Sequence, residues 1–123
     1  MIELCITISQ FQESDYAKVL GQERLTPTER LTDGTSEFFH STDFDGVLKE
    51  KLELRGFFGE KEGGFGQCNY AITVGGVHLL NVGGFFSNIP LATGLYSDAI
   101  DCWISVHASL AAPSNGDQDA SSE

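Results

Sequence analysis

The chain has 123 residues and a net charge of −11, and 41% of its residues are hydrophobic. This length suits one domain with its own core, and the hydrophobic content favours a folded protein over a disordered one. The negative charge disfavours direct binding to nucleic acid or to an anionic membrane, because both require Lys and Arg to neutralise phosphates.

The charges are distributed unevenly along the chain. All seven Lys and Arg residues lie between Lys18 and Lys61, and residues 62–123 contain acids but no cation. A surface of mixed sign would be enough for solubility. The asymmetry therefore indicates a negative field that attracts a basic partner.

The sequence predicts a cytoplasmic protein. The first residues lack the positive region of a signal peptide and include Glu3. Residues 63–97 contain no Asp, Glu, Lys or Arg, but eight glycines and Pro90 interrupt the apolar run, so we expect no membrane-spanning helix. The three cysteines lie far apart without a Cys-x-x-Cys pair, which favours reduced, mostly buried thiols.

The first elements are a strand and a short helix. Apolar and polar residues alternate over 3–11, which predicts a strand. A short helix is expected over 14–20, closed by Gly21. Residues 22–37 are polar and contain Pro27, so we expect an exposed connection there.

Two interpretations remain open for residues 43–56. Ser41 to Asp43 is typical of a helix start, and apolar residues follow at helical spacing up to Gly56. The same stretch also alternates from Leu48 to Phe58, as a strand would. The helix is our preferred interpretation.

A β-hairpin is the clearest predicted element. The β-rich runs 67–74 and 77–86 are separated by Gly75-Gly76, a two-residue turn that tolerates positive φ at both positions. Both faces of this hairpin are fairly apolar, so it should lie inside a sheet. Folding about the turn gives the expected pairs Val74–Val77, Ile72–Leu79 and Tyr70–Asn81. Gly83-Gly84 indicates a bulge or a close backbone approach.

The C-terminal part predicts a loop, one further element and a tail. Residues 87–94 are a loop around Pro90, and residues 97–110 fit both a strand and a helix, with β-branched residues favouring the strand. Residues 113–123 are rich in Ser and acids and predict a disordered tail. Together the elements predict an α+β domain over residues 1–112. Its sheet would be mainly antiparallel with about four strands, and one or two helices would pack on one face.

Motifs for catalysis or metal binding are weak. His40, His78 and His107 have no ligand spacing. Residues 41–52 resemble the front of a calcium loop, but the twelfth position is Leu52 where a bidentate Glu is needed. Residues 63–66 lack the Lys and Ser/Thr of a phosphate loop. We therefore expect neither an enzyme nor a bound cofactor or metal.

Three Phe-Phe dipeptides, at 38–39, 57–58 and 85–86, are the most unusual pattern. Adjacent strand residues face opposite sides, so one ring of each pair needs cover from outside the main core. Aromatic rings dominate binding hot spots, and nearby acids would form a polar rim. The predicted partner-binding residues are Asp43, Asp45, Glu60, Glu62, Asp98, Asp101, Phe58 and Phe86.

The function predicted from these features is non-enzymatic binding. A small acidic domain can inhibit a basic, nucleic-acid-handling protein stoichiometrically by presenting carboxylates where phosphates would sit. The partner would be a nucleic-acid-binding complex or a nuclease. Anti-CRISPR proteins are similar in size and charge, and so are toxin-immunity proteins, which are one alternative. The other alternative is a small enzyme or ligand-binding domain with the Gly-rich hairpin as a pocket wall.

Overall fold

The computed structural model describes residues 2–11, 17–27 and 36–110. These residues form eight strands and no helix. No helix within the described ranges could therefore cross a membrane. The strands are β1 (Ile2–Phe11), β2 (Ala17–Leu25), β3 (Ser36–Thr42), β4 (Leu52–Lys61), β5 (Phe65–Val74), β6 (Val77–Phe86), β7 (Leu91–Ser97) and β8 (Cys102–Leu110).

The strands form two four-stranded antiparallel sheets. Their orders are β2-β1-β8-β7, the β1 sheet, and β3-β4-β5-β6, the β4 sheet. The chain passes from one sheet to the other between β2 and β3 and again between β6 and β7. Inward side chains of both sheets belong to one hydrophobic cluster, so the sheets pack face to face as a sandwich.

Strict alternation explains how the sequence builds this core. In β4, residues 52, 54, 56 and 58 are buried, whereas 53, 55 and 57 face outward. In β8, residues 102, 104, 106 and 108 are buried and their neighbours face outward. Because the side-chain period of a strand is two, each sheet gives one face to the core and leaves the other to solvent.

An aromatic stack lies at the centre of the β4 sheet. The Tyr70 ring is stacked on Phe58 with centroids 5.6 Å apart, and Phe58 meets Phe38 edge to face at 5.9 Å. Gly56 makes room for Tyr70, since a Cβ there would lie 2.5 Å from the Tyr70 Cβ. The Tyr70 hydroxyl interacts with Thr93 of β7 without reaching hydrogen-bond geometry, and burial raises the pKa of Tyr70.

Side chains join the two sheets where β2 approaches β3. The Glu23 carboxylate on β2 lies 2.7 Å from Nε2 of His40 on β3. Its other oxygen accepts a hydrogen bond of 2.7 Å from the Thr42 hydroxyl. These contacts link the sheets at an edge where the topology provides no strand pairing.

The prediction of an α+β domain with one sheet of about four strands is wrong, since the described residues form eight strands in two sheets and no helix. The helix preferred over 43–56 is replaced by a loop and the start of β4. Phe44 and Leu48, which matched helical spacing, are buried in that loop over one end of the core. A Cβ on Gly21 would lie 2.8 Å from the Phe44 ring, which shows how closely the loop packs. Apolar residues of a loop that closes the core thus have the spacing expected for the apolar stripe of a helix.

The expectations for residues 14–37 are also corrected. Ala17–Leu25 form β2, so the predicted helix over 14–20 is wrong from residue 17 onward, and the connection is shorter than expected. Residues 12–16 and 28–35 lie outside the described residues. Because β2 is an edge strand, it can carry polar side chains such as Lys18, Gln22 and Arg24. These residues obscure the pattern by which a strand is recognised in a sequence.

The other strand predictions are confirmed, with one change of register. Strand β1 and the hairpin turn at Gly75-Gly76 agree with the structure, and the strand interpretation of 97–110 is confirmed for β8. The loop predicted over 87–94 is wrong from residue 91 onward, because Leu91–Ser97 form β7. Leu79 is an extra residue in β6, so Ile72 pairs with Leu80 and Tyr70 with Val82. This β-bulge turns Leu80 and Val82 toward the core cluster. The predicted tail, 113–123, lies outside the described residues.

Gly84 is a position of close approach, as its sequence indicated. A Cβ added there would lie 3.2 Å from the side chain of Leu91, the first residue of β7 in the other sheet. The glycine therefore lets β6 and β7 come together where the chain changes sheets. The expected bulge lies at Leu79 instead.

The Phe57-Phe58 dipeptide provides a matched test of this packing. Phe58 is 1% exposed, so we expect Phe58→Ala to lower the free energy of unfolding by about 3–5 kcal/mol. Phe57 is 53% exposed, and Phe57→Ala should cost about 1 kcal/mol or less. Chemical denaturation of both variants measures the difference. Equal losses would contradict the assigned faces of β4.

Candidate functional site

The outer side of the β4 sheet carries an exposed aromatic face, formed by Phe39, Phe57, Phe65 and Phe85. Phe39, Phe57 and Phe85 are 46%, 53% and 64% exposed. Phe65 supports Phe85 with ring centroids 5.7 Å apart. Three half-exposed phenylalanines on one sheet face form an apolar surface that the core does not use.

Polar side chains lie among these rings. The Arg55 guanidinium carbon is 4.6 Å from the Phe39 ring centroid, a cation–π contact that holds both side chains. A shallow depression of about 260 Å³ lies beside Phe57, with Glu37, Asn69 and Asn81 in its lining. The aromatic face therefore has hydrogen-bonding groups and a carboxylate next to its apolar rings.

The predicted Phe58 and Phe86 are not part of this face, because both are buried in the core. The exposed rings are their neighbours, Phe57 and Phe85. For β4, the sequence itself indicated which ring faces inward. Phe58 is an even number of residues from Leu52 and Leu54, so it has the same parity and lies on the same inward face of the strand. For β6, the bulge at Leu79 changes the parity, and sequence patterning did not locate it.

The predicted acids do not form one cluster. Asp43 and Asp45 lie in the β3–β4 loop, and Asp98 and Asp101 lie in the β7–β8 loop. Residues 87–90 join the end of β6 to the start of β7, so these two loops lie at the same end of the sandwich. The β4–β5 turn, with Glu60 and Glu62 beside it, lies at the opposite end.

Two of these carboxylates also maintain their loops. Asp43 Oδ1 accepts a hydrogen bond of 3.2 Å from the Gly46 amide. Asp101 accepts a hydrogen bond from the Tyr96 hydroxyl. That bond, with smaller contributions from desolvation and nearby acids, raises the pKa of Tyr96 to about 12. Asp45 and Asp98 are exposed and are better placed to meet a partner.

The outer side of the β1 sheet has a different character. A groove of about 560 Å³, the polar groove, crosses β2, β1 and β8. Strand register places its side chains in rows: Arg24, Cys5 and His107 form one row, and Gln22, Thr7 and Ser105 form the next. This groove is larger than the depression beside Phe57 and larger than a third cavity of about 360 Å³, which is lined by the end of the Gly-rich hairpin and by the connection between β6 and β7.

The Cys5–His107 pair combines a thiol and an imidazole in register across β1 and β8. Cys5 Sγ has Thr7 Oγ1 as a hydrogen-bond partner at 3.8 Å. In the part of the chain that the structure describes, no three His, Cys, Asp or Glu side chains are grouped as metal ligands. Cys102 faces the core, so it is separated from His107 by the sheet, as a strand requires.

Comparison with known proteins does not assign the chain to a family. The chain matches no protein-family model, and no match was found among curated proteins or solved structures. The functional argument therefore depends on the residues of the two outer faces.

The cysteines allow a direct test of which side chains face outward. Burial raises the pKa of Cys68 to about 11 and raises that of Cys102, so both remain protonated thiols near pH 8. Cys5 is only partly buried on the outer side of β1. We expect a disulfide reagent such as DTNB to label at most one thiol in the native protein and all three after denaturation. Rapid native labelling of Cys68 or Cys102, located by peptide mapping, would contradict the assigned core.

Proposed function

We propose that this protein is a non-enzymatic binding protein that docks on a basic protein through the aromatic face. The observation that carries the proposal is the half-exposure of Phe39, Phe57 and Phe85 on one sheet face. Contiguous apolar patches on a protein surface mark interaction sites, and aromatic side chains are frequent hot spots.

The size of the hydrophobic contribution defines what else the interface needs. Covering roughly 100 Å² on each of these rings would contribute about 2.5 kcal/mol per ring. The sum for three rings, about 7.5 kcal/mol, is comparable with the roughly 4–15 kcal/mol lost in association. The aromatic face thus requires polar and electrostatic contacts as well.

Charge supports a basic partner. Glu37 pairs in register with Phe57, and Glu53 lies two residues before Arg55 on β4. Arg55 is engaged with the Phe39 ring, while the whole chain carries a charge of −11. A complementary surface would combine an apolar depression with Lys or Arg.

Proteins that handle nucleic acid carry such basic surfaces, because they must neutralise phosphates. An acidic domain docked there would block nucleic-acid access, so we propose stoichiometric inhibition as the consequence of binding. A nuclease toxin would be an equally suitable partner, in which case the protein acts as its immunity protein.

The acids at the ends of the sandwich have a supporting role in this proposal. Asp45 and Asp98 lie in loops and not on the aromatic face. Exposed charges outside the contact affect the rate of encounter more than the lifetime of a complex. The aromatic face would hold the partner, and the loop acids would attract it.

Alanine substitution of the exposed rings tests the interface. The partner would be captured on immobilised protein from a lysate of the encoding organism, identified by mass spectrometry and purified for affinity measurement. We expect Phe57→Ala with Phe85→Ala to weaken binding by at least about 2 kcal/mol, a factor of roughly 30. Trp103→Ala is the control, because Trp103 is comparably exposed on the opposite sheet. Unchanged affinity of the double phenylalanine variant would place the interface elsewhere.

A charge reversal tests the role of the loop acids. Asp98→Lys should slow association at low salt and leave dissociation nearly unchanged, since Asp98 lies outside the aromatic face. The difference should fade as salt shortens the screening length to about 10 Å at 0.1 M. Surface plasmon resonance separates the two rates. Faster dissociation with unchanged association would mean that Asp98 contacts the partner directly.

A further inference from the structure

The polar groove of the β1 sheet is a second surface that the proposed function does not use. Its rows begin with Glu3 opposite Ser109 and end with Ser9 opposite Trp103. The first and the last of these rows are three steps of two residues apart along β1, a length of about 20 Å at about 3.4 Å per residue. The groove, with the Ser9–Trp103 row at its end, can therefore accommodate an extended ligand.

The groove is bounded by ordered backbone and side chains. Pro90 lines it from the connection between β6 and β7, and Leu25 and Thr26 line it at the end of β2. The Ser87 carbonyl accepts a hydrogen bond of 2.8 Å from the Leu110 amide, which ties this connection to β8. Such a wall exists before any ligand arrives, which lowers the ordering cost of binding.

The side chains within the groove are mainly uncharged hydrogen-bonding groups. Gln22 Nε2 donates a hydrogen bond of 3.0 Å to Thr7 Oγ1, which orients the amide and the hydroxyl within the groove. Ser9, Ser105 and Ser109 add further hydroxyls along the strands. These groups can pair with both donors and acceptors, as the hydroxyl groups of a sugar require.

The charges of the groove nearly cancel. Arg24 and Glu3 are the full charges in its lining, and they have opposite signs. A single arginine in a chain of charge −11 is a poor site for a phosphate polymer. The described residues also provide no metal-ligand group there. The lining therefore favours a neutral, hydroxyl-rich ligand.

An aromatic platform continues the groove on the same sheet face. Tyr96 pairs with Trp103, and their ring centroids are 5.5 Å apart. The two side chains are 43% and 40% exposed, and the Tyr96 hydroxyl is held by Asp101. A flat ring at this position can stack on the C–H face of a pyranose, while the groove hydroxyls and amide bind its oxygens.

From this arrangement we propose that the outer side of the β1 sheet binds a neutral oligosaccharide. The sugar rings would lie along β1 and β8, with one of them over Trp103. The site lies on the opposite side of the sandwich from the aromatic face. The two proposals can therefore succeed or fail independently.

Trp103 is the sole tryptophan of the chain, so its fluorescence reports directly on the platform. The probes are cellohexaose, chitohexaose, xylohexaose, mannohexaose and maltohexaose, with a heparin hexasaccharide as an anionic comparison. We expect at least one neutral probe to produce a saturable change in tryptophan emission and a matching calorimetric isotherm. No response to all five neutral probes at millimolar concentration, or tighter binding of the heparin probe, would overturn the proposal.

Variants then locate the site by calorimetry. Trp103→Ala should weaken binding of the responding probe about tenfold or more, while Trp103→Phe should retain most of the affinity through its remaining ring. Gln22→Ala should also weaken binding, because the groove loses its oriented amide. Phe57→Ala on the opposite sheet is the control and should bind as the wild type does. Equal loss in the control, or unchanged binding by Trp103→Ala with a native circular dichroism spectrum, would also overturn the proposal.

Discussion

The sharing of one core by two sheets is the constraint on which the rest of this structure depends. Every strand directs alternate side chains toward the other sheet, and the inward set is almost entirely apolar. Tyr70 reaches the centre because Gly56 on the adjacent strand has no side chain to occupy that space. With the core complete, the outward positions no longer have to contribute to it, and their chemistry is free to differ between the sheets.

The two outer faces have different chemistry. The β4 sheet presents phenylalanines with a cation–π contact between Arg55 and Phe39. The β1 sheet presents hydroxyl, amide, thiol and imidazole groups, followed by the Tyr96–Trp103 platform. Both sets of side chains stand on paired strands, which hold them more rigidly than loops would. The proposed protein interface and the proposed sugar site both rest on this pre-organisation.

The edges of the sandwich are joined by different means. At one edge, Glu23 contacts His40 and Thr42 across the gap between β2 and β3. At the other, Gly84 allows Leu91 to approach closely where the chain changes sheets. The loops with Asp43 and Asp101 close one end, and each of these carboxylates accepts a hydrogen bond within its own segment. Part of the acidic character is thus structural, which leaves Asp45 and Asp98 as the better candidates for steering a partner.

Local sequence patterns determined several elements correctly. The alternation in β1 and the Gly75-Gly76 turn were sufficient because a half-buried strand and a two-residue hairpin depend on neighbouring residues. The helix expected over 43–56 failed for the opposite reason. Phe44 and Leu48 are buried at one end of the core by residues that are distant in the sequence. The pattern of buried apolar residues alone does not distinguish such a loop from a helix.

The sequence by itself determined that the chain folds, that it is strongly acidic, and that its Phe-Phe dipeptides need explanation. Only the tertiary structure decided which ring of each dipeptide is exposed, because that choice follows from strand parity and, in β6, from the bulge at Leu79. It also decided the composition of the polar groove. Arg24, Cys5 and His107 are far apart in the chain, and long-range pairing of β1 with both β2 and β8 brings them into one row. Local periodicity contains no information about that pairing.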